Sequence, residues 1–235
     1  MSEKMKVSEF ISKLNLALNS KTLYVMGCFG APMITKNKKR YSSNYAYNAT
    51  DARKNKILSA SDDTFGFDCV NLVKGVINGW SADKTAIYGG TIYNAVVPDI
   101  GTESIIKQCT DVSTDFSKLT DGELLYTKGH VGVVYDAKNG LAVECTPAWK
   151  DGVQISAING ADWSSGEALK YHTRTWTSHG KLPWIDYTVE PTEEFLYRVQ
   201  VGVYKKEANA RAKLKELQDA GFKNAIIRKE SLNES

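Results

Sequence analysis

Nucleophilic and general-base chemistry in this 235-residue chain falls to four cysteines, Cys28, Cys69, Cys109 and Cys145, and three histidines, His130, His172 and His179. No two cysteines have the Cys-x-x-Cys spacing of a zinc or dithiol site, and no cluster of ligand-type residues implies a metal or another cofactor. The segment Asp68-Cys69-Val70-Asn71-Leu72-Val73 stands apart. Val70, Val73, Val76, Ile77 and Trp80 recur at the spacing of one helix face. With Asp68 as N-cap, Cys69 occupies the first turn, where unpaired N–H groups and the helix dipole favour thiolate over thiol. A small buried core residue is the competing reading for any single cysteine. Cys109 lies in a polar stretch, Cys145 in a strand and Cys28 in a loop, and these fit that second reading better.

The base to match Cys69 is His130. It opens His-Val-Gly-Val-Val-Tyr after Lys128-Gly129, a strand pattern that puts the imidazole at a strand start with glycine alternating beside it. The chain then turns near Lys138-Asn139-Gly140 and returns as Leu141 to Thr146, a hairpin signal. If even-numbered residues share a face, Glu144 joins His130 and Gly132 and can orient the ring. A one-residue slip would present Cys145 instead. His172 and His179 lie in a Thr/Ser/Arg-rich stretch and read as surface or edge residues, although His179-Gly180 could line a cleft.

The elements that must position these groups form an α+β pattern. Met1 to Ser20 reads as an amphipathic helix, with no continuous apolar core of the length a signal peptide or membrane span needs. The chain is therefore expected to be cytoplasmic as synthesised, with no membrane partner. Gly27 to Phe67 reads as loop-rich, and Leu124 to Ile158 as strand-rich. Residues 188–194 are polar, contain a proline and read as a linker. Beyond it, Phe195–Tyr204 alternates as a half-buried strand. Lys206–Ala220 has helical spacing ending at Gly221, and Phe222–Arg228 reads as a second strand, making one β-α-β unit.

Apolar residues make up 42% of the chain, enough for one substantial core. Net charge is +3, too small to argue for a nucleic-acid partner. It is unevenly placed. Residues 195–235 hold nine Lys/Arg against five Asp/Glu, and the rest hold 21 against 22. A basic small module beside a near-neutral larger one suits docking to an anionic matrix, and equally a solvated helix face.

Taken together, Tyr24-Val-Met-Gly27, Phe67-Asp68-Cys69 opening a helix, Asp121-Gly122-Glu-Leu-Leu and His130-Val-Gly-Val resemble the NlpC-type cell-wall cysteine peptidases. The resemblance implies a papain-like domain over residues 1–187, with a Cys-bearing helix packed on an antiparallel sheet. It implies Cys69 as nucleophile, His130 as base and Glu144 as the third residue. Tyr24 and Asp68 would lie at the substrate. The chain departs from the family at Val70-Asn71, where Ser-Gly is usual, and at Cys28, where a second glycine is usual. Glu144-Cys-Thr-Pro-Ala-Trp149 and Trp176 to Tyr187 resemble a phage-endolysin branch. Tyr197 to Tyr204, with Ala208 and Gly221-Phe222, resembles one half of a SPOR-type unit of the kind that binds peptidoglycan glycan strands.

The implied function is a peptidoglycan hydrolase acting on the wall after release. It would cut a γ-D-glutamyl-diamino acid bond or the N-acetylmuramoyl-L-alanine amide. Two other readings stay open, a Cys–His acyl or amide transferase and a non-catalytic wall-binding protein. The position of Tyr24 also suggests that Cys28 lies close enough to Cys69 for an inactivating disulfide.

Overall fold

In a computed structural model the described residues are 4–90, 96–159, 166–188, 201–223 and 225–229. They divide into two compact units, residues 1–188 and 189–235.

The first unit is α+β. β1 (Met5–Lys6) leads into α1 (Val7–Leu18), whose Phe10, Leu14 and Ala17 are buried at the spacing of one helix face. β2 (Thr22–Tyr24), β3 (Phe29–Pro32) and β4 (Phe65–Phe67) form a three-stranded sheet with β4 central. Between β3 and β4 lie α2 (Thr35–Asn44), α3 (Ala46–Ala49) and α4 (Asp51–Ser59). This corrects the loop-rich reading of residues 27–67. The Lys/Asn/Ser-rich sequence has no strong apolar stripe. Its helices dock through a few buried side chains, among them Asn37, Tyr41, Asn48, Arg53 and Ile57.

α5 (Cys69–Ile77) is buried along its whole length. α6 (Thr102–Gln108) follows, and then the strands of the main sheet. These are β5 (Thr110–Ser113), β6 (Leu124–Thr127), β7 (His130–Asp136), β8 (Leu141–Thr146), β9 (Gly152–Ile158), β10 (Thr173–Arg174) and β11 (Ser178–Lys181). Their order is β10-β9-β8-β7-β6-β11-β5, antiparallel except for β10 on β9. β12 (Ile185–Asp186) pairs in parallel with β1.

Strand alternation separates two apolar layers. Leu124, Val131, Val133, Val143 and Cys145 pack with α1 and α5. Leu125, Val134, Ala142 and Ile158 pack with Trp176.

In the second unit, α7 (Glu207–Asp219) is the regular element among the described residues. It carries ion pairs one turn apart, such as Glu207–Arg211 at 2.6 Å and Lys215–Asp219 at 3.0 Å. Residues 201–204 and 225–229 are not strands, and Val201, Val203, Phe222 and Ile226 are exposed. The strands expected there are not formed over these residues. An isolated apolar alternation needs a paired edge and a covered face to be a stable strand. Residues 189–194 of the expected linker and 195–200 of the expected first strand lie outside the described residues.

Candidate active site

Asp68 caps α5 as its sequence predicts. Its Oδ1 accepts from the Asn71 amide at 2.7 Å, and its Oδ2 accepts from Gly27 N at 2.7 Å and Asn71 Nδ2 at 2.8 Å. One carboxylate therefore closes the helix and ties down the turn after β2. Gly27 has φ +79°, and a Cβ there would fall 2.1 Å from the Tyr45 ring, so a larger residue in this turn would be strained. Burial pushes Asp68 up to about 6, while the Asn71 and Gly27 amides and Lys74 pull the other way. Both of its oxygens are held by the protein's own donors.

Cys69 is the first residue of α5 and is 6% exposed. α5 lies against β7 and β8. Cys69 packs in one cluster with Tyr24, Val131 and Cys145. Burial first, and then the Asp68 charge, push the thiol up to about 12, while the nearby backbone amides pull the other way. This corrects the expectation of a thiolate-favouring helix start. Burial disfavours the charged thiolate. Cys28 and Cys109 are also pushed up to about 12, so geometry rather than acidity distinguishes Cys69.

Tyr24 is buried, its ring edge-on to Tyr47 at 5.7 Å. Burial, then Cys69 and Asp68, raise its phenol above the ordinary value, which places it beside the helix start. Arg53 of α4 donates to the Tyr24 carbonyl, pairs with Asp151 at 2.6 Å and covers the Tyr24 ring at 5.8 Å.

Cys28 belongs to a separate apolar cluster with Val25, Met33, Tyr41 and Ile57. Its sulfur lies 3.0 Å from where a Gly66 Cβ would be, whereas the neighbouring Phe67 packs in the Cys69 cluster. Alternation along β4 puts Cys28 and Cys69 on opposite faces, which argues against a disulfide between them.

The β7–β8 hairpin has the register that favours Glu144. Val133 pairs with Val143, so Gly132 comes opposite Glu144 and the even-numbered residues share a face. His130 Nε2 lies 2.7 Å from Glu144 Oε2, with the carboxylate fully buried and the imidazole 15% exposed. An ionised Glu144 can only accept, so Nε2 carries a proton. No hydrogen bond joins His130 to Cys69 among the described residues. The imidazole leaves β7 on the Trp176 face, whereas Cys69 packs with Val131 and Val133 on the opposite face.

Two residues at this site were not among the site residues expected from the sequence. Arg174 of β10 places Nε 2.8 Å from Glu144 Oε1 and 2.6 Å from Oε2. Trp176 stacks on His130, with ring centroids 5.6 Å and planes 12° apart. Both are distant in sequence from the hairpin and belong to no periodic pattern. The glycine at position 132 was the available clue, since a Cβ there would fall 2.8 Å from the Trp176 ring. Together, the desolvation that raises Glu144 and the His130 and Arg174 bonds that lower it leave its carboxyl below the ordinary value.

His179, read as surface or cleft-lining, is buried. Its Nδ1 lies 2.6 Å from Glu123 Oε2 and its Nε2 3.1 Å from the Asp115 carbonyl. No group of three or more metal-ligating side chains occurs among the described residues. None of the described helices is long and apolar enough to cross a membrane.

Comparison with known families matches residues 181–233 to the SPOR domain. The match opens at Lys181, ahead of the expected boundary at Phe195 and within the last strands of the first unit. No curated protein matches the chain. SPOR domains bind peptidoglycan, and the C-terminal match therefore associates this chain with peptidoglycan.

Proposed function

We propose that the first unit is a papain-like cysteine hydrolase of peptidoglycan, with Cys69 as nucleophile, His130 as base and Glu144 as its orienter. The observation that carries this reading is the buried Glu144 bonded at 2.7 Å to His130 Nε2, on a strand whose next residue, Val131, packs in the Cys69 cluster. Nδ1 of His130 takes the thiol proton as sulfur attacks an amide carbonyl of the peptide stem. Backbone N–H groups at the start of α5 stabilise the oxyanion. The imidazolium then protonates the leaving amine, and water resolves the thioester.

A thiol pushed up to about 12 rests protonated at neutral pH, so the base acts as substrate binds rather than beforehand. His130 stacks on the Trp176 face of the sheet and Cys69 packs with the opposite face, so this order requires the imidazole to turn toward the thiol when substrate binds. The bond cut is a γ-D-glutamyl-diamino acid linkage or the N-acetylmuramoyl-L-alanine amide, and a phage-type lysin is the biological setting the resemblance suggests.

The SPOR match favours a second reading, a non-catalytic wall-binding protein in which Cys69 is structural. Incubating purified peptidoglycan with wild type and Cys69→Ala, followed by mass spectrometry of soluble fragments, separates the two. Fragments from wild type alone support the hydrolase and identify the bond. Equal release by both proteins removes Cys69 from the mechanism, and sedimentation with the wall without release supports the binder.

A further inference from the structure

We propose that Arg174 is a positioning residue of the His130–Glu144 pair, holding the Glu144 carboxylate as its counter-ion so that His130 need not serve as one. This rests on the reading of His130 as the base.

Glu144 is fully buried between two donors. Oε2 is shared by His130 Nε2 at 2.7 Å and Arg174 Nε at 2.6 Å, and Oε1 receives Arg174 Nε at 2.8 Å. A buried carboxylate must be compensated by charge as well as by hydrogen bonds. Without Arg174 the nearest group able to supply that charge is the imidazole itself. Its protonation would remove the Nδ1 lone pair that the chemistry needs. With Arg174 present, the carboxylate and guanidinium cancel, and Glu144 remains an acceptor that fixes the Nε2–H tautomer.

Arg174 is in turn held from several sides. Its Nη2 donates to Thr146 Oγ1 at 3.2 Å, and its guanidinium carbon lies 4.8 Å from the Trp149 ring centre and 5.9 Å from that of Trp176. Trp149 stacks on His172 at 4.9 Å, and Trp176 stacks on His130 at 5.6 Å. The imidazole is thus steadied through its edge by Glu144 and through its face by Trp176, and Arg174 contacts both supports. Cys145 of β8 feels the charges of Asp68, Cys69, Asp151 and Glu144, and His172 lies beyond Trp149. Arg174 is the cation bonded to Glu144.

The test is a 15N-histidine NMR titration of the full chain as wild type, Arg174→Gln, Glu144→Gln and the double variant. Removing Arg174 alone should make the His130 signal leave the neutral Nε2–H tautomer about one pH unit higher than in wild type. Glu144→Gln alone should move it the opposite way, and the double variant should return to within a few tenths of wild type. If Arg174→Gln does not fold, the comparison runs between Glu144→Gln and the double variant, where loss of the unpaired guanidinium should raise the midpoint. Unmoved midpoints, or equal shifts in one direction for both single variants, overturn the proposal, since a purely structural role predicts no opposition of sign. The titration needs no substrate. Opposed shifts with no fragment release would sink the hydrolase reading alone, whereas release with unmoved midpoints would sink Arg174 alone.

Discussion

Two histidine–carboxylate pairs lie in the main sheet, and they differ in what is left over. His179 and Glu123 are sealed, with side chains 3% and 4% exposed, and both ring nitrogens are committed, to Glu123 and to the Asp115 carbonyl. His130 and Glu144 are bonded at nearly the same distance, but only Nε2 is committed and the ring is 15% exposed. Phe116 lies beside His179 at a tilted 5.4 Å, whereas Trp176 lies nearly parallel to His130. A histidine with both nitrogens satisfied and no access is a structural cross-link between strands. One with a fixed tautomer, a free lone pair and an opening can move a proton. The pair itself is therefore no mark of chemistry, and the unspent nitrogen is.

The contrast is tested hardest by substituting the two histidines. His130→Ala should lower fragment release by about a thousandfold or more while thermal unfolding stays close to wild type. Release undiminished in His130→Ala would erase the distinction. His179→Ala should do the opposite, costing about 3–5 kcal/mol in denaturant unfolding by stranding Glu123, with the folded fraction still active. Normal stability in His179→Ala would show that its pairing is no cross-link.

Asp68 sharpens the comparison from the α5 side. Its folded value of about 6 lies above the ordinary 3.8, so the native state holds this proton more tightly than the unfolded chain. That contribution is full below pH 3.8 and is lost as pH rises through 6. Wild type should lose roughly 3 kcal/mol relative to Asp68→Asn between those limits, read from urea midpoints across pH. A difference that does not vary with pH would contradict the buried-cap account.

The smallest effect is expected at Gly132. Gly132→Ala places a methyl 2.8 Å from Trp176 Cη2 and should cost about 1–3 kcal/mol while shifting the His130 ring resonances. A shift at His179 instead would mean that the two sites are coupled.

Much of the site was legible in local sequence. Asp68 before an apolar helical run located the cap and put Cys69 in the first turn, because capping and amphipathic spacing act within a few residues. The alternation after His130 and the Asn139-Gly140 turn located β7, β8 and the hairpin. The helices of residues 35–59 were not legible, since their docking depends on single buried polar side chains such as Arg53 and Asn48 that no period announces. The burial of His179 was equally hidden, because its partners lie on β6's approach and on the loop before it, far away in the chain.

By itself the sequence determined the chemistry available, namely one thiol at a helix start, one imidazole at a strand start and a carboxylate in the return strand. Only the tertiary structure decided which carboxylate edge meets which ring nitrogen, that the thiol at the helix start is buried, and that Arg174 and Trp176 join the cluster. The physical reason is range. Caps, turns and strand alternation are set by neighbours a few bonds away, whereas desolvation and counter-ion choice depend on what the whole fold brings within about 4–6 Å.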